Sequence, residues 1–148
     1  MATNSNRKIN SRSKGQRGER EVCKLLQAAS NTVYEYHELT PPTIERNQMQ
    51  SNNGGYDLIG IDWLAPEVKM CETFLLDKWW QQTLSQCAPN QTPVLIYRKS
   101  RVKWRVRMIG SIFVNADTHM GVLADISIDE FLTWFQTTLS SRIQTGND

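Results

Sequence analysis

The segment Pro93-Val94-Leu95-Ile96-Tyr97 is a near-continuous apolar run. Successive residues of a strand point to opposite faces, so such a run describes a central strand buried on both sides. A strand of that kind needs cover above and below, and three amphipathic helices are available for it. From Lys14-Gly15 onward, Val22, Leu25, Leu26 and Ala29 fall at i, i+3, i+4 and i+7, the stripe of an amphipathic helix. Residues 73–87 read as a second helix, with Leu76, Trp80, Leu84 and Cys87 on a buried stripe and Trp79, Gln82 and Gln86 on another face. Ser127-Ile128-Asp129-Glu130 is a capping box. It opens a third helix whose apolar stripe is Ile128, Phe131, Leu132, Phe135 and Leu139.

Further strands are expected around the central one. Val33-Tyr34-Glu35-Tyr36-His37 has alternating character and reads as a first strand. The apolar segments 57–61 and 66–71 form a hairpin if the chain turns near Asp62. From Val102 to Met108, Val102, Trp104, Val106 and Met108 point inward while Lys103, Arg105 and Arg107 point outward. Val122-Leu123-Ala124-Asp125 is a last short strand. Leu39 to Gly55 is a seventeen-residue loop with Pro41-Pro42 and Gly54-Gly55, and loops of that length are commonly functional or mobile. Residues 1–13 are a basic flexible tail, 14–142 a single domain and 143–148 a C-terminal tail. This order describes a mixed α/β sandwich with helices against a central sheet.

A chain of 148 residues is long enough for one substantial core. No apolar run approaches the roughly 20 residues needed to span a bilayer, and the basic N-terminus lacks the hydrophobic segment of a secretory signal. Cys23, Cys71 and Cys87 are widely spaced, as are His37 and His119, which argues for reduced cytoplasmic thiols rather than a zinc site. Charge is strongly segregated. Residues 1–20 carry six bases against one acid, residues 98–107 carry six bases and no acid, and the remaining positions hold five bases and fourteen acids. Clustered Lys and Arg point to a polyanion-binding face. The alternative is a solubilising tail plus a basic edge strand that resists aggregation.

The chemistry-bearing residues lie around Gly54-Gly55-Tyr56-Asp57 and, ten positions on, Glu67-Val68-Lys69. Strand alternation places Glu67 and Lys69 on one side and Val68 on the other, and the hairpin register sets Asp57 opposite Glu67. Facing carboxylates repel unless a cation lies between them. Mg²⁺ is the natural candidate, held by one or two carboxylates plus waters and phosphate oxygens. The competing account is solvated charge on a strand edge.

With these elements in order, the chain resembles the PD-(D/E)xK nuclease superfamily, and within it the archaeal and bacteriophage Holliday junction resolvases. The likeness rests on Lys14-Gly15-Gln16-Arg17-Gly18-Glu19-Arg20-Glu21, Asp57, Glu67-Val68-Lys69, and Trp79-Trp80-Gln81-Gln82 leading into Pro93–Arg98. Tyr56 stands where the superfamily has proline. The resemblance implies an α/β restriction-endonuclease-like core, a central mixed β-sheet flanked by helices. It implies a Mg²⁺-dependent endodeoxyribonuclease, with Mn²⁺ as a substitute, that cuts four-way DNA junctions in recombination and repair. Asp57, Glu67, the Val68 carbonyl and Glu19 would hold the metal, and Lys69 would act on the attacking water. Lys14, Arg17, Arg20, Arg46, Gln82, Arg101, Lys103 and Arg105 would contact DNA. A homodimer is implied by the two-fold symmetry of a junction, without a membrane partner and with action in the cytoplasm, that of the host if the chain is phage-encoded. The residues leave three rivals open: another nuclease of the same fold, a catalytically silent DNA-binding module and a protein-interaction domain. Glu19 and Glu21 would, on those readings, simply favour the positive end of a helix, and Trp79, Trp80 and Trp104 would be core.

Overall fold

The computed structural model describes residues 11–49 and 56–147. Helix α1 (Ser11–Tyr36) is followed by two short strands, β1 (Glu45–Arg46) and β2 (Leu58–Ile59). Then come β3 (Leu64–Met70), α2 (Leu76–Gln86), β4 (Thr92–Arg98), β5 (Arg105–Asn115), β6 (Thr118–Ser127) and α3 (Ile128–Thr145). β1 and β2 form a two-stranded antiparallel pair, and the main sheet runs β3-β4-β5-β6. β3 and β4 are parallel with α2 as their crossover, while β4–β5 and β5–β6 are antiparallel. The protein is therefore α/β, with a mixed four-stranded sheet flanked by helices. Among the described residues, no helix is long and apolar enough to cross a membrane.

The apolar run 93–97 does occupy an inner strand, and Val94, Leu95 and Ile96 are fully buried. Alternation divides its side chains between two layers. Val94 and Ile96 join Val68, Met70, Val106 and Met108 under Val22, Leu26 and Val33 of α1 and Phe131, Phe135 and Leu139 of α3. Leu95 and Tyr97 pack on the opposite face against Trp79 and Trp80 of α2. Each large apolar side chain buried this way contributes roughly 1.5–3 kcal/mol before its entropic cost. Ser127 caps α3 as expected, accepting from the Glu130 N–H at 3.1 Å, while the Glu130 carboxylate accepts from the Ser127 N–H at 3.3 Å.

Five local expectations are corrected. Residues 33–36 continue α1 instead of forming a strand, because Val33 and Tyr34 extend the buried stripe of Val22, Cys23, Leu26, Ala29 and Ser30. The helical ends also take in Ser11 to Ser13 and residues 143–145, assigned above to tails. The long loop contains β1, while residues 50–55 lie outside those described, as do residues 1–10. The buried stripe of α2 is Trp79, Trp80 and Thr83, with Leu76 partly buried beside it and Leu84 exposed, because the helix packs through both tryptophans. Val102 is exposed, and Arg107, expected on an outward face, is buried. Asp125 receives Arg107 Nε at 3.0 Å and Nη2 at 3.0 Å and also receives the Tyr97 hydroxyl at 2.7 Å. This network compensates the charge that burial would otherwise penalise.

The hairpin expected between 57–61 and 66–71 is replaced by a different path. β2 pairs with β1 (Glu45 opposite Ile59, Arg46 opposite Leu58), and the segment reaches β3 through the Asp57 N–H to the Pro66 carbonyl and, at the turn, through the Ile61 carbonyl, which accepts from the Leu64 N–H. Gly60 causes the departure. Its φ is +104°, and a Cβ placed there would lie 2.2 Å from the Thr43 carbonyl oxygen. Gly60→Ala is therefore expected to destabilise the protein by roughly 2 kcal/mol or more, through backbone strain and displacement of the Thr43 peptide. The urea midpoint checks this, and a wild-type midpoint would contradict it.

Candidate active site

β3 is an edge strand of the main sheet, and Asp57 lies along its outer side. The Asp57 N–H donates to the Pro66 carbonyl at 3.0 Å, and Asp57 Oδ2 accepts from the Val68 N–H at 2.6 Å. The N–H and C=O of one strand residue point the same way, so the Val68 carbonyl also faces the edge occupied by Asp57. Asn47 steadies this segment from β1: its N–H donates to the Asp57 carbonyl at 2.8 Å and its side-chain amide to the Tyr56 carbonyl at 3.0 Å. Gln91 Nε2 donates to the Tyr56 hydroxyl at 3.1 Å, which gives Tyr56 a positioning contact.

Glu67 and Lys69 project from β3 beside Leu95 and Tyr97, the residues aligned with them on β4. Lys69 Nζ stands 2.7 Å from Glu67 Oε1. Glu67 is 1% exposed and Asp57 5%, so both carboxyls are nearly dry. Burial, then the charge of Asp57, push the Glu67 carboxyl up to about 7; Lys69 partly offsets this and Glu19 adds to it. The causes match the three general sources of a shift, with desolvation dominant.

Gly18 lets α1 approach this strand. A Cβ on it would sit 3.3 Å from both Met70 Cβ and Trp104 Cη2. The close packing carries Glu19 to the mouth of a cleft of about 320 Å³ that is also lined by Gly15, Asp57, Glu67, Val68, Lys69 and Gln82. Gln82 arrives from the half-buried side of α2. Glu19 accepts from Arg46 Nε at 2.5 Å. This pair borders an adjoining cleft of about 550 Å³, lined by Arg12, Gly15, Gln16, Asn47 and Gln48 as well.

All the residues expected at the centre, Glu19, Asp57, Glu67, Val68, Lys69 and Gln82, thus line one cleft. The carboxylate of Glu19 is shared with Arg46. Among the described residues, no group of three or more His, Cys, Asp or Glu side chains forms a metal cluster. A hard divalent cation needs only one or two carboxylates, completed by carbonyl, water and phosphate oxygens. Asp57, Glu67 and the Val68 carbonyl fit that requirement, and burial with the neighbouring Asp57 charge raises the Glu67 pKa.

Among the described residues, polar contacts tie the N-terminal basic tract to the 98–107 tract. Lys14 pairs with Glu72, whose Oε1 also accepts from the Ser100 N–H at 3.2 Å. Glu21 pairs with Arg98, and the Arg98 guanidinium lies 4.7 Å above the Trp104 ring. Of the expected DNA contacts, Arg17, Arg20, Arg101 and Lys103 are exposed. Arg105 is also exposed and donates to the Asp125 carbonyl at 3.0 Å. Lys14 and Arg46 are engaged in ion pairs instead. The part of Asn47 in fixing Asp57 had no spacing signal, and neither did the cleft-lining positions of Ser11, Met70 and Cys71. No family model, curated protein or solved structure matches this chain.

Proposed function

We propose that this chain is a metal-dependent, structure-specific DNA endonuclease with a restriction-endonuclease-like core, acting on four-way junctions as a Holliday junction resolvase of the PD-(D/E)xK superfamily. One observation carries the reading: Asp57, Glu67, Val68 and Lys69 converge in a single cleft, with both carboxyls buried and the lysine against one of them. Purely structural acids on a strand edge would be hydrated, since burying two carboxylates side by side is costly. The exposed cations Arg17, Arg20, Arg101 and Lys103 supply a surface for phosphates.

Asp57 and Glu67, with the Val68 carbonyl, would hold Mg²⁺ or Mn²⁺. When bound, such an ion supplies Lewis-acid polarisation of the phosphoryl oxygen and neutralises charge that develops during in-line displacement. The residues of the chain do the rest. Lys69 presents Nζ beside Glu67, where it orients the attacking water, takes its proton or offsets charge on the scissile phosphate. Gln82 lines the same cleft and orients the site. Arg46, released from Glu19, reaches a phosphate, and Glu19 turns toward the cleft it already lines. Paired cuts at a junction require two such sites related by two-fold symmetry, hence a homodimer, acting in the cytoplasm on recombining DNA.

The test compares a synthetic four-way junction with nicked duplex, linear duplex and single strand, in Mg²⁺ and in EDTA. Preferential Mg²⁺-dependent cutting of the junction is expected. Cutting of another substrate instead would leave the site chemistry standing and replace the junction by that substrate. No cutting in Mg²⁺ or Mn²⁺, with DNA still bound, would reduce the chain to a silent binding module.

A further inference from the structure

Beyond the sheet proper, β5 and β6 continue as a two-stranded arm. β4 bonds β5 only across Leu95–Tyr97, whereas β5 and β6 stay paired from Arg105 opposite Ser127 out to Asn115 opposite Thr118. Ile109, Ile112, Phe113, Val114, Met120 and Leu123 lie on this arm and are between 50% and 63% exposed. Directly opposed residues share a face. Ile112 with Met120 therefore marks one side of the arm, and Ile109 with Leu123 marks the other. Isolated two-stranded hairpins are at best marginal in water, and this one presents apolar side chains on both sides.

We propose that the β5–β6 arm is the surface through which two copies of this chain associate, arm against arm about a two-fold axis. Three features select a second copy as the occupant. Between Met108 and Ala124 the only charged residue is Asp117, at the turn, so the strip meets an identical strip without repulsion and offers a charged partner nothing to recognise. β6 is an edge strand that lacks the lysines and prolines by which monomeric proteins block edge pairing. The six side chains together expose on the order of 700 Å² per chain, divided between the two sides of the arm, against the roughly 800 Å² per partner of a stable dimer. The association deepens the proposed junction cleavage, on which its role in paired cutting rests, whereas its geometry stands on the arm alone.

Sedimentation equilibrium of the whole chain tests the interface separately from the chemistry. The wild type is expected at twice the 17.0 kDa chain mass. The double variant Ile112→Glu, Phe113→Glu is expected at the single mass, with unchanged circular dichroism and a cooperative melt because both positions are exposed. On a junction, this variant should still nick in Mg²⁺ but accumulate singly cut intermediates. A monomeric wild type at roughly 100 µM, a hundredfold above a micromolar Kd, would overturn the proposal, as would a double variant that remains dimeric. A dimer broken by the double variant, with no cutting by either protein, would sustain the interface and remove the nuclease reading.

Discussion

Glu67→Gln is expected to stabilise the metal-free protein at pH 8 while abolishing DNA cleavage. The Glu67 carboxyl titrates near 7 in the folded protein against an ordinary value of 4.5. The folded chain thus holds a proton through that interval that the unfolded chain has released. The resulting stability is fully present below pH 4.5 and is lost as pH rises through 7. At 1.36 kcal/mol per pKa unit, the ionised side chain costs the fold on the order of 3 kcal/mol at pH 8. A neutral amide of similar shape removes most of that cost and leaves Lys69 able to reach solvent. Thermal melts in EDTA should show the variant above wild type at pH 8, at roughly 2–4 °C per kcal/mol, and level with it near pH 5. An equal or lower midpoint at pH 8 would mean that Glu67 is not a strained anion.

Asp57→Asn should act on cleavage with little effect on the fold. The amide oxygen of asparagine can still accept from the Val68 N–H, so the 2.6 Å contact that ties the segment to β3 has a replacement. The charge does not. An ion held by two carboxylates contributes several kcal/mol to a phosphoryl transition state, so losing one ligand charge should slow cutting by about 10³-fold at 1.36 kcal/mol per decade. Single-turnover rates on a saturating junction substrate measure this, with gel-shift affinity expected to stay near wild type. A rate within tenfold of wild type would exclude Asp57 from the reacting centre.

How much of this was legible follows from which interactions are local. The inner position of β4 was readable because every residue of 93–97 is apolar, and the shared face of Glu67 and Lys69 was readable from period two alone. The last turns of α1 were not, since Val33-Tyr34-Glu35-Tyr36 matches a short strand pattern as well as a helical one and only the buried stripe decides. Asp57 was identifiable as the acid beside Glu67, yet its route depends on the approach of Gly60 to the Thr43 carbonyl, seventeen residues away. The Glu19–Arg46 pair spans 27 residues with no periodic trace. Arg107 looked like surface charge because its partner Asp125 lies eighteen residues on, across the β5–β6 pairing. Only residues 122–125 of β6 read as a strand in the sequence, because the side chains of β5 and β6 beyond the sheet are apolar on both sides, which erases the alternation that marks a half-buried strand.

Under the proposed function, the two dry carboxylates Asp57 and Glu67 accept a divalent cation beside Lys69. Calorimetric titration of Mn²⁺ into the DNA-free protein at pH 8 addresses that directly, run on wild type and Asp57→Asn. Saturable binding by the wild type, accompanied by a higher melting temperature and lost in the variant, is the predicted result. No Mn²⁺ binding by the wild type, or binding that Asp57→Asn leaves unchanged, would contradict it.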